Sequence, residues 1–267
     1  MPDFFHNHFQ IQRANTRELR DAVYALRYQV YCLENPYEDA TLHRDEREMD
    51  EYDAQSVHSL VRHRDTGTVA GCVRLILPDR SDSAAPLPVE AECHQDFYGW
   101  HRAKRSGIER TRLAEVSRFA VSRQFKRRLE EAQSPSGTSP RAIYEDAGPD
   151  SELLHRSLPS ITMGLIAAGI QMSVEQGVTH WYAFLEPSLL RLLSRFGIHF
   201  QQVGPPVQHH GNRRPATVRV KDVIRGVHSE RPDIWAIVSD KGRFPGLEEN
   251  GPWLAQDADD SRDAPCS

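Results

Sequence analysis

The sequence predicts an α+β domain, a three-layer sandwich in which a mixed β-sheet is flanked by helices. Three observations predict it. Strand-like and helix-like segments follow one another as strand, helix, several strands, helix, strand, helix, strands, an order that suits a mixed sheet better than a bundle or a barrel. The helical segment over 160–175 is apolar on most sides, so it is expected to lie buried against that sheet. At 267 residues the chain is long enough for one domain to hide roughly 70–75% of its unfolded surface.

In chain order, residues 4–11 mix aromatic and polar side chains and read as a strand. Asn15 opens a helix with Glu18 three residues on, a capping-box spacing, and Leu19, Ala22, Val23, Leu26 and Val30 keep a 3.6-residue period. Residues 34–53 form an acidic loop with nine acids against two arginines. Strands over 58–63 and 69–77 are joined by the turn Arg64-Asp65-Thr66-Gly67, and 113–121 is a third strand. Between them, 78–107 reads as irregular. Residues 132–150 are turn-rich and read as a mobile insertion. After the 160–175 helix, which stops at Gly177, come a strand over 179–185 and a helix opened by Pro187 and ending at Gly197. Strands over 199–207 and 216–220 flank a polar turn at Gly211. One domain is therefore expected over 1–246, followed by a disordered tail over 247–267 that holds six acids and one arginine.

Composition narrows the function. A formal charge of −5 argues against a general nucleic-acid binder. The longest apolar stretch, 161–174, is shorter than the ~20 residues a bilayer requires, so no transmembrane segment is expected. Residues 1–10 lack the pattern of a secretory signal, and four cysteines with no CxxC pair read as reduced thiols of a cytoplasmic protein. His6-Asn7-His8 and His209-His210 are weak metal signals, and no metal is expected.

Charged residues inside apolar strands carry the chemical signal. Glu115 sits in Leu113-Ala114-Glu115-Val116-Ser117-Arg118-Phe119-Ala120-Val121, where strand alternation puts Leu113, Glu115, Ser117 and Phe119 on one face and Ala114, Val116 and Arg118 on the other. A buried carboxylate is costly unless it is paired or faces a cleft. Glu115 is thus either a structural partner of Arg118 or Arg74, or a base whose pKa burial raises. Arg74, within Val73-Arg74-Leu75, needs carboxylate partners, and Asp50 and Asp53 are placed to serve. Such a cluster either pins a loop or offers residual negative charge to a cationic amine. Residues 102–128 hold ten Lys/Arg against Glu109 and Glu115, a basic run able to dock an acidic partner, and Arg123, Lys126 and Arg127 follow the third strand where a phosphate can be held.

Taken together, Arg27 with Val30-Tyr31, Asp50 and Asp53, Gly71 with Arg74, and Glu115-Val116-Ser117-Arg118-Phe119 resemble, in order and spacing over roughly residues 20–125, the acyl-homoserine-lactone synthases of the GNAT acyltransferase superfamily. Asp50-Glu51-Tyr52-Asp53, Ser56-Val57-His58, Val73-Arg74-Leu75 and Glu115-Val116-Ser117-Arg118 are similar in wording to the acyltransferases associated with PEP-CTERM/exosortase systems, which look like N-acyl amino acid synthases. The resemblance implies a GNAT-like fold with a splayed sheet and transfer of an acyl group from acyl carrier protein phosphopantetheine or acyl-CoA to the amine of an amino acid or similar small molecule. It implies Glu115, Ser117 and Arg118 as catalytic residues and Arg27, Asp50, Asp53 and Arg74 as acceptor-binding residues. Phe119, Val121, Arg123, Lys126 and Arg127 fall on the donor side. No permanently bound cofactor is implied. Two departures bear on the product and the donor. Leu33-Glu34-Asn35-Pro36-Tyr37 stands where the lactone synthases carry an aromatic, typically tryptophan, which argues for a product other than a homoserine lactone. Arg123-Gln124-Phe125-Lys126 replaces the glycine-rich pyrophosphate loop of many GNAT enzymes, which favours a carrier protein as donor. The alternatives within the fold are a lactone synthase, an acetyl-CoA-dependent small-amine acetyltransferase and a non-catalytic acyl-carrier-binding module.

Overall fold

The computed structural model describes residues 2–82, 84–93, 96–98, 107–126, 135–137, 149–208, 211–248 and 251–254. Helix α1 (Pro2–His8) leads into β1 (Phe9–Arg13), α2 (Arg17–Tyr28), β2 (Ser56–His63) and β3 (Val69–Ile76). Then follow α3 (Pro88–Cys93), β4 (Leu113–Val121), α4 (Pro149–Gln176), β5 (His180–Leu185) and α5 (Pro187–Ser194). Three further strands, β6 (Gln201–Gln202), β7 (Val207–Gln208) and β8 (Asn212–Arg219), precede α6 (Val220–Glu230) and α7 (Pro232–Val238). The sheet order is β1-β2-β3-β4-β5-β8-β6, with β7 on β8, and every pairing is antiparallel except β4 with β5. The sheet is mixed, as expected. Helix α2 covers one face of β2–β4, α4 crosses the other face over β1–β4, and α1, α6 and α7 close over α4.

Two sequence expectations shift at the N-terminus. The strand read over 4–11 is split, because Pro2 to His8 coil into α1 and only Phe9 onward joins the sheet. The helix brings the ring of Phe5 to within 6.0 Å of Phe9 and seats it on Gly164 of α4, so packing overrides the strand-like composition. The cap of α2 is Thr16, whose hydroxyl accepts from the Leu19 amide at 3.3 Å, one position later than the Asn15 cap expected.

Helix α4 begins well before residue 160 and carries Pro159 in its interior, the residue at which a sequence reading stops a helix. Its stretch Ser157–Gln176 is apolar and long enough to cross a membrane, yet 89% of the most apolar window is buried inside the fold. Its Gly169 carbonyl accepts from Ser173 Oγ, which in turn accepts from the indole of Trp181 on β5 at 2.7 Å.

Beyond β8 the expected strand over 216–220 ends at Arg219, and Val220, Val223, Ile224 and Val227 form the buried stripe of α6. This helix comes against the α5–β6 connection at Gly226, where an added Cβ would lie 1.9 Å from the Gly197 carbonyl oxygen. Gly197 itself has φ +77°. Gly226→Ala should therefore destabilise the fold by about 3 kcal/mol, read as a lower denaturation midpoint at unchanged slope. The start of the tail expected from residue 247 needs correction, since Leu247 is fully buried and Trp253 and Leu254 pack on the same core; residues 255–267 lie outside the described residues. Most of the 132–150 insertion lies outside the described residues.

Candidate active site

Strand β4 is irregular on both sides. Against β3, Cys72 faces Ala120 and Arg74 faces Ser117, so β4 has one residue more than β3 between these pairs. That extra residue makes a β-bulge, with Arg118 at φ +49°. The bulge corrects the expected strand alternation. It turns Arg118 away from the face of Ala114 and towards Arg74, where it meets the acidic loop and stacks 5.2 Å over the Tyr31 ring. Against β5, the parallel pairing runs over Leu113, Ala114 and Glu115 and goes no further. Past Glu115 the two strands part. A cavity of about 70 Å³ opens in the gap, lined by Glu115, Ser117 and Phe119 of β4, Phe184 of β5, Ile166 of α4 and Leu189 of α5.

Glu115 is 3% exposed. Its Oε2 accepts from the Val89 amide at 2.8 Å, and it has no ion pair among the described residues. Burial pushes its carboxyl up to about 8, against the smaller opposing pull of the Val89 hydrogen bond and of Arg74. The structural pairing with Arg74 or Arg118, open on sequence grounds, is not made, because both guanidiniums are bound to other carboxylates. Val89 lies on α3, whose start is fixed by Glu90. The Glu90 carboxylate accepts from the Leu87 amide at 2.9 Å and pairs with Arg110, whose other nitrogen reaches the Ala85 carbonyl at 2.6 Å.

Beside Glu115 lies a cluster of three arginines and four carboxylates. Arg27 from α2 is fully buried; it pairs with Glu48 and donates twice to Asp53, at 2.6 and 3.0 Å. Arg74 donates to Asp53 at 2.9 Å and to Ser117 Oγ at 2.9 Å, and it pairs with Asp50. Arg118 donates to Glu48 at 2.8 Å and to Glu38 and Asp50 at 3.1 Å each. Local sequence sets this up: Asp50 and Asp53 cap each other's turn reciprocally, Asp50 accepting from the Tyr52 amide at 3.0 Å and Asp53 from the Asp50 amide at 2.8 Å. Burial opposes ionisation of Asp53, but Arg27 and then Arg74 outweigh it and hold the carboxyl at about 2. Glu48 is held well below the carboxylate range in the same way, by Arg27 and Arg118 against its burial. His58 is enclosed here too, and burial with the Arg27 charge pushes it down to about 3, so it stays neutral.

The expected site residues thus divide. Glu115, Ser117, Arg118, Asp50, Asp53, Arg74 and Arg27 come together, with Arg27 and Asp53 as interior supports and Asp50 more open than either. Of the donor-side residues, Phe119 lines the cavity and Arg123 is exposed. Two others differ from expectation. Val121 is a core side chain whose amide bonds the Pro135 carbonyl at 2.9 Å, and Lys126 is enclosed with its ammonium 3.4 Å from Glu34, because the chain folds back there instead of presenting an open basic turn. Arg127 and His209-His210 lie outside the described residues. Glu48 and Glu90 escaped the sequence reading, since nothing in a run of surface-like acids marks the buried ones. Cys32, Cys72 and Cys93 are free and buried, and burial pushes their thiols up to about 11, 12 and 11.

Residues 26–132 match the family model described as Acetyltransferase (GNAT) domain. A sequence search of curated proteins finds no match. Among solved structures the fold is similar to TofI in a ternary complex with an inhibitor and MTA (18% identity, TM-score 0.53, covering 85% of this chain and 99% of that one). It is also similar to BjaI, a CoA-dependent acyl-homoserine lactone synthase, with SAM and isopentyl-CoA (18% identity, TM-score 0.51, 92% and 94% covered). FeeM, an N-acyl amino acid synthase from uncultured soil microbes, aligns at 13% identity and TM-score 0.49 over 82% and 93%. The chain has a GNAT-like fold, an eight-stranded mixed sheet flanked by helices.

Proposed function

We propose that the protein is an N-acyltransferase that moves a fatty acyl group from a thioester, on acyl carrier protein or coenzyme A, to the amine of an amino acid or similar small molecule. The observation that carries this reading is Glu115: a buried carboxyl with no ion pair among the described residues, on the wall of a cavity, at the point where β4 and β5 part. The GNAT match over 26–132 and the fold shared with BjaI, a CoA-dependent synthase, support the donor class.

The acceptor must present a neutral amine. Its nitrogen attacks the thioester carbonyl carbon; the N–C bond forms, the amine proton passes to ionised Glu115 directly or through water, the C–S bond breaks, and the sulfur leaves as a thiolate that takes up that proton from Glu115 or one from solvent, leaving Glu115 ionised again. The Val89 amide stabilises the ionised form of Glu115. The edge of β4 beyond Glu115 has no partner on β5, so its backbone groups suit the developing oxyanion. Three arginines against four carboxylates leave negative charge at Asp50 and Glu38, which suits an approaching ammonium before it loses its proton. The cavity's apolar walls suit the acyl chain. No acyl-enzyme is part of this scheme.

The test is amine-dependent release of thiol from acyl-carrier and acyl-CoA thioesters of several chain lengths, with mass spectrometry of the amide. Release that rises with added amine and yields the amide is the expected result. Thioester binding without release would overturn the enzymatic reading in favour of a binding module.

A further inference from the structure

The end of the sheet opposite the arginine cluster holds a second group of chemistry-bearing side chains. On β2, His58 lies in the cluster and His63 stands five residues on, about 16 Å away at ~3.3 Å per residue. There the last residue of α1, the end of β2 and the β2–β3 turn converge. His8, His63 and Asp65 each offer one ligand atom, and these atoms lie within 4.8 Å of one another. We propose that His8, His63 and Asp65 form a binding site for a divalent transition-metal ion of the zinc class, with solvent completing the coordination.

The backbone that carries these three side chains is fixed by its own bonds. The Arg64 amide donates to the His8 carbonyl at 2.8 Å, and the Arg64 guanidinium donates to the carbonyls of His6 and Phe9 at 2.9 and 3.0 Å. The turn closes on the His63 carbonyl, which accepts from the Gly67 amide at 3.0 Å. Asp65 is thereby held against the end of α1 instead of projecting on a free hairpin.

The β2–β3 turn holds the imidazole of His63 through its Nδ1. The Thr66 hydroxyl donates to Thr68 Oγ1 at 2.9 Å and stands 3.1 Å from Nδ1 of His63. The Thr66 amide donates to the same nitrogen at 3.4 Å. Both contacts fall on Nδ1, so Nε2 is the ring nitrogen left for a metal ion. Phe9 and Phe125 stand 5.4 and 6.0 Å from the His63 ring and Phe4 stands 4.6 Å from the His8 ring, which limits how far either imidazole can turn away.

Two imidazoles and a carboxylate form a borderline donor set that suits Zn²⁺ or Co²⁺ and disfavours Mg²⁺ and Ca²⁺. Tetrahedral coordination at ~2.0–2.2 Å places ligand atoms about 3.3 Å apart, so small rotamer changes must draw the three inward. Such an ion would tie α1 and β1 to the β2–β3 turn. Its effect would fall on stability, since it sits far from Glu115.

The experiment uses tag-free, metal-stripped full-length protein. Co²⁺ titration is followed by visible absorption, Zn²⁺ by competition with a chromophoric chelator, and thermal unfolding is compared with and without Zn²⁺. One Zn²⁺ per chain, a melting temperature that rises with Zn²⁺, and affinity weakened roughly ten- to hundredfold in His63→Gln and in Asp65→Asn are expected. Asp65 is exposed, so its variant tests the site without disturbing the core. Absence of competed Zn²⁺, or binding of equal strength in a His8→Gln/His63→Gln double variant, would overturn the proposal. Neither outcome depends on the acyl-transfer reading.

Discussion

Glu115→Gln is expected to be both inactive and more stable than the parent protein in alkaline solution. Glutamine keeps the shape of the side chain and an oxygen to accept from the Val89 amide, so the fold has no reason to change. It cannot accept the amine proton, and turnover should fall by about 10²–10⁴-fold. The stability gain follows from the raised carboxyl. Folded Glu115 keeps its proton up to about 8, whereas the unfolded chain gives it up near 4.5. The parent therefore loses stability as pH rises from 4.5 to about 8 and regains none above it. The glutamine variant lacks this loss, so its melting temperature should exceed the parent's by several degrees at pH 9 and match it at pH 4. The parent's kcat/KM should rise with pH through about 8, as ionised Glu115 accumulates. A glutamine variant with full turnover would remove Glu115 from the mechanism.

Glu48→Ala is expected to be the most damaging change in the charged cluster. Glu48 is 1% exposed and bridges Arg27 to Arg118, so its loss leaves two enclosed guanidiniums short of a counter-charge. Removing one partner of a buried pair costs about 3–5 kcal/mol. For a chain of this size that corresponds to a melting temperature lower by roughly 10 °C. The acid limb gives a second reading. Glu48 and Asp53 are held ionised below their ordinary range, so their contribution is present at neutral pH and lost as pH falls from the usual carboxylate values through about 2. In Glu48→Ala the fall in stability between those limits should shrink. A variant that melts with the parent would show that Arg27 and Arg118 are satisfied without Glu48.

Where the local pattern and the tertiary structure agree, the sequence sufficed. Strands β2, β3 and β4 lie at or within two residues of the expected bounds, because apolar runs ended by polar turns admit one reading. The stripe Val220, Val223, Ile224 and Val227 was legible too, but ending a strand at Val220 concealed a helix that starts there. Pro159 hid the first turns of α4 for the opposite reason, a stop signal that the fold tolerates. In the candidate site, Asp50, Asp53, Arg74 and Glu115 stood out as charges in or next to apolar strands. Glu48 did not, since only the folded chain decides which of nine loop acids is enclosed. The bulge had no local signal at all, because its left-handed residue is an arginine instead of a glycine.

That bulge makes the residue count of β4 a constraint in its own right. Ala114 and Val121 both face α4 although an odd number of steps separates them, while Ala120 faces α2. Deleting one residue between Ser117 and Ala120 would restore an unbroken ladder with both halves facing as they do, but would remove the extra position that brings Arg118 to the cluster, whereas a deletion elsewhere in the strand would exchange inside for outside beyond it. Homologous chains should therefore tolerate changes of side chain here far more readily than changes of length, and any gap in this strand would mark a protein whose cleft works differently.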